Sequence, residues 1–170
     1  MKEKGDLERF CELAIQLGAA DAKLIRADQV VVKNWVRWKC RFGCPDYGKV
    51  LMCPPYSPTP EETLALLKEY EYTLLFRSKP STPKNLAVEL EKRIFLEGYY
   101  AALAFANDSC HLCKECNVQK GYCIRPAEAR PAMESCGISV FETAKNVGYR
   151  IEVLKSKEQD FMGYDLVLIC

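Results

Sequence analysis

A single histidine, His111, stands in a chain of 170 residues. That scarcity removes most general-base designs, because proton transfer near neutral pH falls first to imidazole. The chain also lacks a glycine-rich phosphate loop, a dinucleotide fingerprint and a serine–histidine–acid arrangement, so no substrate class announces itself. Excess charge is missing too: 24 basic against 23 acidic side chains leave a net charge of +1. Bulk charge of that size recruits no polyanion, which argues against a dedicated nucleic-acid binder. No apolar run approaches the length that spans a bilayer, and the charged start from Met1 to Glu8 has no apolar signal region. The expectation is a cytoplasmic protein without a membrane partner. Repeats, low-complexity tracts and linkers are absent as well, which predicts one domain over residues 1–170. A chain of this size buries roughly 70% of its extended surface, so its core needs no metal to hold it.

What the chain does have is cysteine, ten in all. Without a secretion signal these are expected to be reduced thiols, serving as metal ligands or catalysts rather than as staples. Four of them, Cys110, Cys113, Cys116 and Cys123, follow spacings of two, two and six intervening residues. Thiols packed this tightly rarely reach one another in unstrained disulfides. They bend the backbone around a point and aim several sulfurs at it. A second group, Cys40, Cys44 and Cys53, has spacings of three and eight, with Pro45 and Pro54 directly after two of its members. Proline fixes φ and removes a donor, so this reads as a stiff ligand loop with a fourth position to be filled from elsewhere.

Three evenly spaced thiols resemble the beginning of a [4Fe–4S] site, where each sulfur takes a different iron corner. Zinc, closed in a tetrahedron by four thiolates, is the alternative. Cys110, Cys113, Cys116 and Cys123 can close one cluster by themselves. Alternatively Cys123 or Cys136 crosses to Cys40, Cys44 and Cys53, or the second group leaves one iron open as a Lewis acid. His111 is either a ligand or proton donor, or a histidine on the loop surface. Tyr47, Arg125 and Arg130 either line the centre or pack the loops. Lys33, Arg37, Lys39 and Arg41 beside Trp35 and Trp38 have the composition of a base-stacking face; the plainer reading is a solvated strand face that balances an anionic cluster.

Periodicity predicts an α/β chain. Leu7, Phe10, Cys11, Ala14 and Leu17 recur at helical spacing after Asp6 and stop at Gly18. Extended segments are expected from Ala22 to Arg26 and from Val30 to Val36, with a turn at Ala27–Asp28. Thr59-Pro60-Glu61-Glu62 is a capping box for a helix with Leu64, Leu67 and Tyr70 on its stripe. Tyr72–Phe76 and Tyr99–Ala106 read as buried strands, and the helix between them turns Leu86, Leu90, Ile94 and Phe95 inward. Ser139 to Glu142 opens another helix, and Tyr149–Leu154 with Tyr164–Ile169 reads as a hairpin. The expected architecture is a layered α/β domain with a mixed sheet and two cysteine-rich metal-binding loops. Cys110 lies just past the end of a central strand, the edge where open α/β sheets hold ligands.

The runs Cys40-x3-Cys44-Pro-x-Tyr-Gly-x4-Cys53-Pro-Pro-Tyr-Ser-Pro and Cys110-x2-Cys113-x2-Cys116-x6-Cys123-x2-Pro126, with Glu128-Ala-Arg-Pro131, resemble a cysteine-rich "predicted metal-binding protein" family found in anaerobic bacteria and archaea. The resemblance implies seven metal ligands, Cys40, Cys44, Cys53, Cys110, Cys113, Cys116 and Cys123, and leaves Cys136 outside the set. It assigns no reaction. The expected function is that of an iron–sulfur protein, with one or two clusters, that moves electrons for a redox partner protein. A cluster-dependent enzyme with an open iron and a zinc-organised interaction module are the alternatives.

Overall fold

The computed structural model describes residues 4–156, 159 and 161–170. Its sheet is assembled around β2 (Tyr72–Ser78), whose Leu74, Leu75 and Phe76 are fully buried. Consecutive buried apolar residues require cover on both faces of a strand. β1 (Asp21–Arg26) pairs with one flank, Asp21 opposite Arg77. β4 (Gly163–Leu168) pairs with the other, Leu75 opposite Leu166. β3 (Leu103–Phe105) closes the far edge against β4, giving the order β1-β2-β4-β3.

The period of two along each strand sorts the side chains into two cores. Leu74, Phe76, Val167 and Ile169 face Leu7 and Phe10 of α1 (Lys4–Gln16) and Leu90 and Ile94 of α4 (Leu86–Leu96). Leu75, Leu166, Leu168 and Phe105 face Leu67 of α3 (Pro60–Leu67), Met133, Cys136 and Ile138, and Val140 and Ala144 of α5 (Val140–Asn146). The layered α/β architecture is the one that alternation predicts.

Several local expectations give way to tertiary pairing. The named strands pair antiparallel throughout, so the mixed sheet is reduced to one isolated parallel bridge, Ala106 with Ala132. The strand expected over Tyr99–Ala106 shrinks to β3 and lies at the edge, because β4 inserts between it and β2. The Glu91 carboxylate takes the Ala104 amide at 2.6 Å, which occupies a donor of this short edge. Tyr149–Leu154 is not a strand, for both flanks of β4 are already occupied by β2 and β3. Tyr149 is buried instead, its ring approached by Lys23 Nζ at 4.2 Å and Arg77 Cζ at 4.9 Å. Lys157, Glu158 and Asp160, in the loop of that expected hairpin, lie outside the described residues.

The extended segment expected over Val30–Val36 stops at Val32, which bridges Ile138. From Asn34 the chain is helical as α2 (Asn34–Gly43), with Val36 its buried residue. Trp35, Trp38 and Phe42 recur at helical spacing, but the preceding β-branched run Val30–Val32 dominates the pattern. Cys40 therefore sits on a helix rather than on a loop. Asp6 lies in the first turn of α1 instead of capping it, and Phe95 and Leu64 are exposed. The Thr59 capping box forms as expected, with Glu62 N–H donating to Thr59 Oγ1 at 3.2 Å and Thr59 N–H to Glu62 Oε2 at 2.7 Å.

Candidate metal centre

The chain leaves β3 and enters the compact cysteine group. Cys110, Cys113, Cys116 and Cys123 all line one small cavity. Two local devices bring the sequence back to it. Gly121, at φ +73°, ends the short 3-10 turn Val118–Lys120 in the left-handed region that glycine adopts at little cost, and Cys123 follows two residues later. Arg125 then donates from Nη1 to the Leu112 carbonyl at 2.8 Å while its other nitrogens hold Glu128 at 2.9 and 2.6 Å.

The opposite wall of the cavity comes from the other cysteine loop, through Val50, Leu51 and Met52. The Leu51 amide donates to Cys116 Sγ at 3.4 Å. Ser109, next to Cys110, donates its hydroxyl to Asp46 Oδ2 at 2.5 Å. The same Ser109 oxygen lies 2.9 Å from His111 Nε2. Since a serine has one proton to donate and it goes to Asp46, His111 must donate from Nε2. His111 is exposed and is not part of the cavity wall.

Cys40, Cys44 and Cys53 are carried by α2 and the loop after it. Cys44 closes the helix, its amide donating to the Cys40 carbonyl at 3.2 Å, and is exposed. Cys53 is buried, and its carbonyl accepts from the Tyr56 and Ser57 amides at 3.0 and 3.1 Å. The peptide bond that follows, Pro54–Pro55, is cis. Cys40 directs its thiol at the Glu134 carbonyl, 4.0 Å away. Cys136, by contrast, is fully buried among the apolar side chains of the sheet core.

Arg37 holds this half of the site together. Its Nη1 donates to the carbonyls of Ser57 (3.2 Å), Pro58 (2.7 Å) and Ser135 (2.6 Å), and contacts Ser57 Oγ at 2.9 Å. Ser57 Oγ also donates to the Ser135 carbonyl at 2.6 Å, and Ser135 Oγ reaches the Met52 and Ala132 carbonyls at 3.1 and 2.7 Å. Helix α2, the Cys53 loop and the turn Glu134–Cys136 are thus pinned at one guanidinium. No motif advertises Ser57, Ser135 or Asp46, because their partners are backbone carbonyls or residues distant in sequence. Of the other candidates, Arg125 lines the cavity, Tyr47 does not, and Arg130 is engaged with Glu91.

Electrostatics set the conditions for loading. Burial, and next the neighbouring Asp46, Cys44, Cys40 and Cys110, push the Cys53 thiol up to about 12. Cys40 is raised by burial and then by Cys44 and Glu134. Cys110 is raised chiefly by burial, with a smaller upward push from Cys123, Cys113 and Cys116, against a hydrogen bond from the Leu112 backbone that lowers it. Gathered thiols resist ionising together, and a bound cationic centre reverses that preference.

A family model described as "Predicted metal-binding protein (DUF2284)" matches residues 23–169. The chain belongs to this family. The match takes in both cysteine groups and all of the sheet except Asp21 and Ala22 at the start of β1. No curated protein and no solved structure matches significantly. Among the described residues, no group of three or more His, Cys, Asp and Glu side chains is disposed to hold a metal ion; the four thiols line a cavity without converging on one point. Their chemistry nevertheless fits a thiolate-ligated centre. The donors are soft, the wall between them is apolar except at Asn117 and Arg125, and an amide already donates to one sulfur.

Proposed function

We propose that Cys110, Cys113, Cys116 and Cys123 hold an iron–sulfur cluster of the [4Fe–4S] type and that the protein transfers electrons in an oxygen-free metabolism. The observation that carries the reading is that all four cysteines of the C-x2-C-x2-C-x6-C run line one cavity. When bound, such a cluster supplies reversible one-electron storage at a potential tuned by its surroundings. The surroundings here have definite directions. The Leu51 amide at Cys116 Sγ stabilises negative charge on that sulfur and so favours the reduced state. The Arg125 guanidinium on the rim acts in the same sense, while Val50, Met52 and Leu112 restrict water.

Anaerobic purification, with iron, acid-labile sulfide and zinc measured on one sample, tests the proposal. Iron and sulfide in equal amounts, with a visible spectrum bleached by dithionite and restored by oxidant, are expected. Stoichiometric zinc without sulfide would replace the reading with that of a zinc-organised interaction module.

A second reading concerns Cys40, Cys44 and Cys53, whose thiols influence one another around the buried Cys53. Three thiols make an incomplete set for a cube, and a cluster held there keeps one iron for an exogenous ligand, as a sulfur-removing or reductive enzyme requires. Small thiolates are then expected to perturb the cluster's EPR spectrum; an unperturbed spectrum excludes it.

A further inference from the structure

Helix α2 carries Cys40 and ends at Cys44, yet much of its apolar surface is turned away from the fold. Trp35, Trp38 and Phe42 are 45%, 61% and 71% exposed. Their spacing of i, i+3 and i+7 places them on one face. Trp38 and Phe42 are stacked with centroids 5.6 Å apart, Lys39 Nζ lies 5.3 Å over the Trp35 ring, and Arg41 Cζ lies 5.5 Å over Phe42. Exposed aromatics grouped in this way mark an interaction surface, since interface cores are enriched in Trp, Phe and Arg.

Charge selects the partner. Between Asp28 and Asp46 the chain has no acidic residue, although the whole protein is nearly neutral. Arg37 is consumed by the backbone clamp and Lys33 lies 4.0 Å from Glu142. Lys39 and Arg41 form no ion pair among the described residues. Two free cations over an apolar face complement a surface of carboxylates around an apolar centre.

We propose that the Trp35–Trp38–Phe42 face of α2, rimmed by Lys39 and Arg41, is the docking surface for an acidic electron-carrier protein. The inference rests on the electron-transfer reading for its consequence: one electron passes between the carrier and the cysteine-rich centre, the carrier losing what the centre gains, with no bond made or proton moved. A single-stranded nucleic acid would use the same rings by stacking; the near-zero net charge of the chain makes the protein the better occupant.

The whole chain, purified anaerobically, is titrated with an acidic [2Fe–2S] ferredoxin by calorimetry at low and high salt. Both tryptophans of the chain lie on this face, so their emission reports occupancy without reference to metal. Lys39→Glu/Arg41→Glu and Trp38→Ala/Phe42→Ala are each expected to weaken binding by about tenfold or more. Far-UV circular dichroism and iron and sulfide content should stay at the wild-type level. Added salt should weaken the wild type, and the charge reversal should shift preference toward a basic cytochrome c. Affinity that ignores salt and both variants overturns the proposal. So does an oligothymidylate that binds the wild type, fails to bind the Trp38→Ala/Phe42→Ala variant and displaces the ferredoxin. A protein that binds ferredoxin with this dependence but contains only zinc retains the docking surface and loses the electron-transfer reading. A reducible cluster with no ferredoxin binding does the reverse.

Discussion

The Leu51 amide points at Cys116 Sγ across 3.4 Å, joining the two cysteine groups through residues 65 positions apart in the chain. That bond makes the Cys44–Cys53 loop a wall of the other group's cavity. Replacing Cys116 with alanine is expected to remove the centre at this cavity, with iron and sulfide falling by one cluster equivalent. Cys170→Ala, at an exposed thiol outside both groups, should leave the metal content unchanged. Equal loss in both variants would sink the assignment.

Loading should release protons. Burial raises Cys110, Cys40 and Cys53, so these thiols are protonated before a metal arrives. Ligation requires thiolate, and the proton must leave. Apparent affinity for zinc or iron is therefore expected to rise with pH, and calorimetry in buffers of different ionisation enthalpy should count the protons released. Affinity independent of pH would exclude thiol ligation.

Arg37 predicts a stability loss that is read without any metal. Alanine there leaves the Ser135 carbonyl with only the Ser57 hydroxyl and strips the Ser57 and Pro58 carbonyls of a charged donor. The expected loss is about 2–4 kcal/mol in denaturant unfolding. Lysine restores the charge but not the guanidinium geometry, so it should recover only part.

Asp165 supplies a pH dependence unrelated to thiols. It is buried on β4, accepting from Ser78 Oγ at 2.6 Å and Asn107 Nδ2 at 2.8 Å, and burial outweighs both bonds to push its carboxyl from 3.8 up to about 6. The folded state thus holds the proton more tightly than the unfolded chain. The stabilisation this group contributes is fully present below pH 3.8 and is lost as pH rises through about 6, a swing of about 3 kcal/mol. Asp165→Asn is expected to remove that slope from stability measured across the interval. An unchanged slope would show that the group titrates as if exposed.

Gly137 marks where the turn Glu134–Cys136 meets α3. At φ +84° it occupies a region that side chains rarely adopt, and a Cβ there would meet Pro60 Cγ at 2.8 Å. Gly137→Ala is expected to cost about 1–2 kcal/mol for the backbone alone, with the steric contact added, read as a lowered thermal midpoint.

What could be read along the chain was whatever a local rule controls. The Thr59 capping box, the burial of Leu86, Leu90 and Ile94, the run Tyr72–Phe76 and the spacing of Cys110 to Cys123 are each set within a few residues. Val30–Val36 misled because three β-branched residues precede a helix that buries little more than Val36. Tyr149–Leu154 misled because the alternation of a strand does not reveal whether a sheet edge is free to receive it.

By itself, then, the sequence determined the α/β layering and the presence of two cysteine groups in a chain of the predicted metal-binding family. Tertiary structure alone decided that β4 would lie between β2 and β3, that Val50, Leu51 and Met52 would wall the other group's cavity, and that Arg37 would pin α2 to Ser57 and Ser135. The physical reason is range. Turns, caps and periodic faces follow from neighbours along the backbone, whereas strand order and the meeting of distant loops follow from burial and hydrogen bonding between residues that the chain itself keeps far apart.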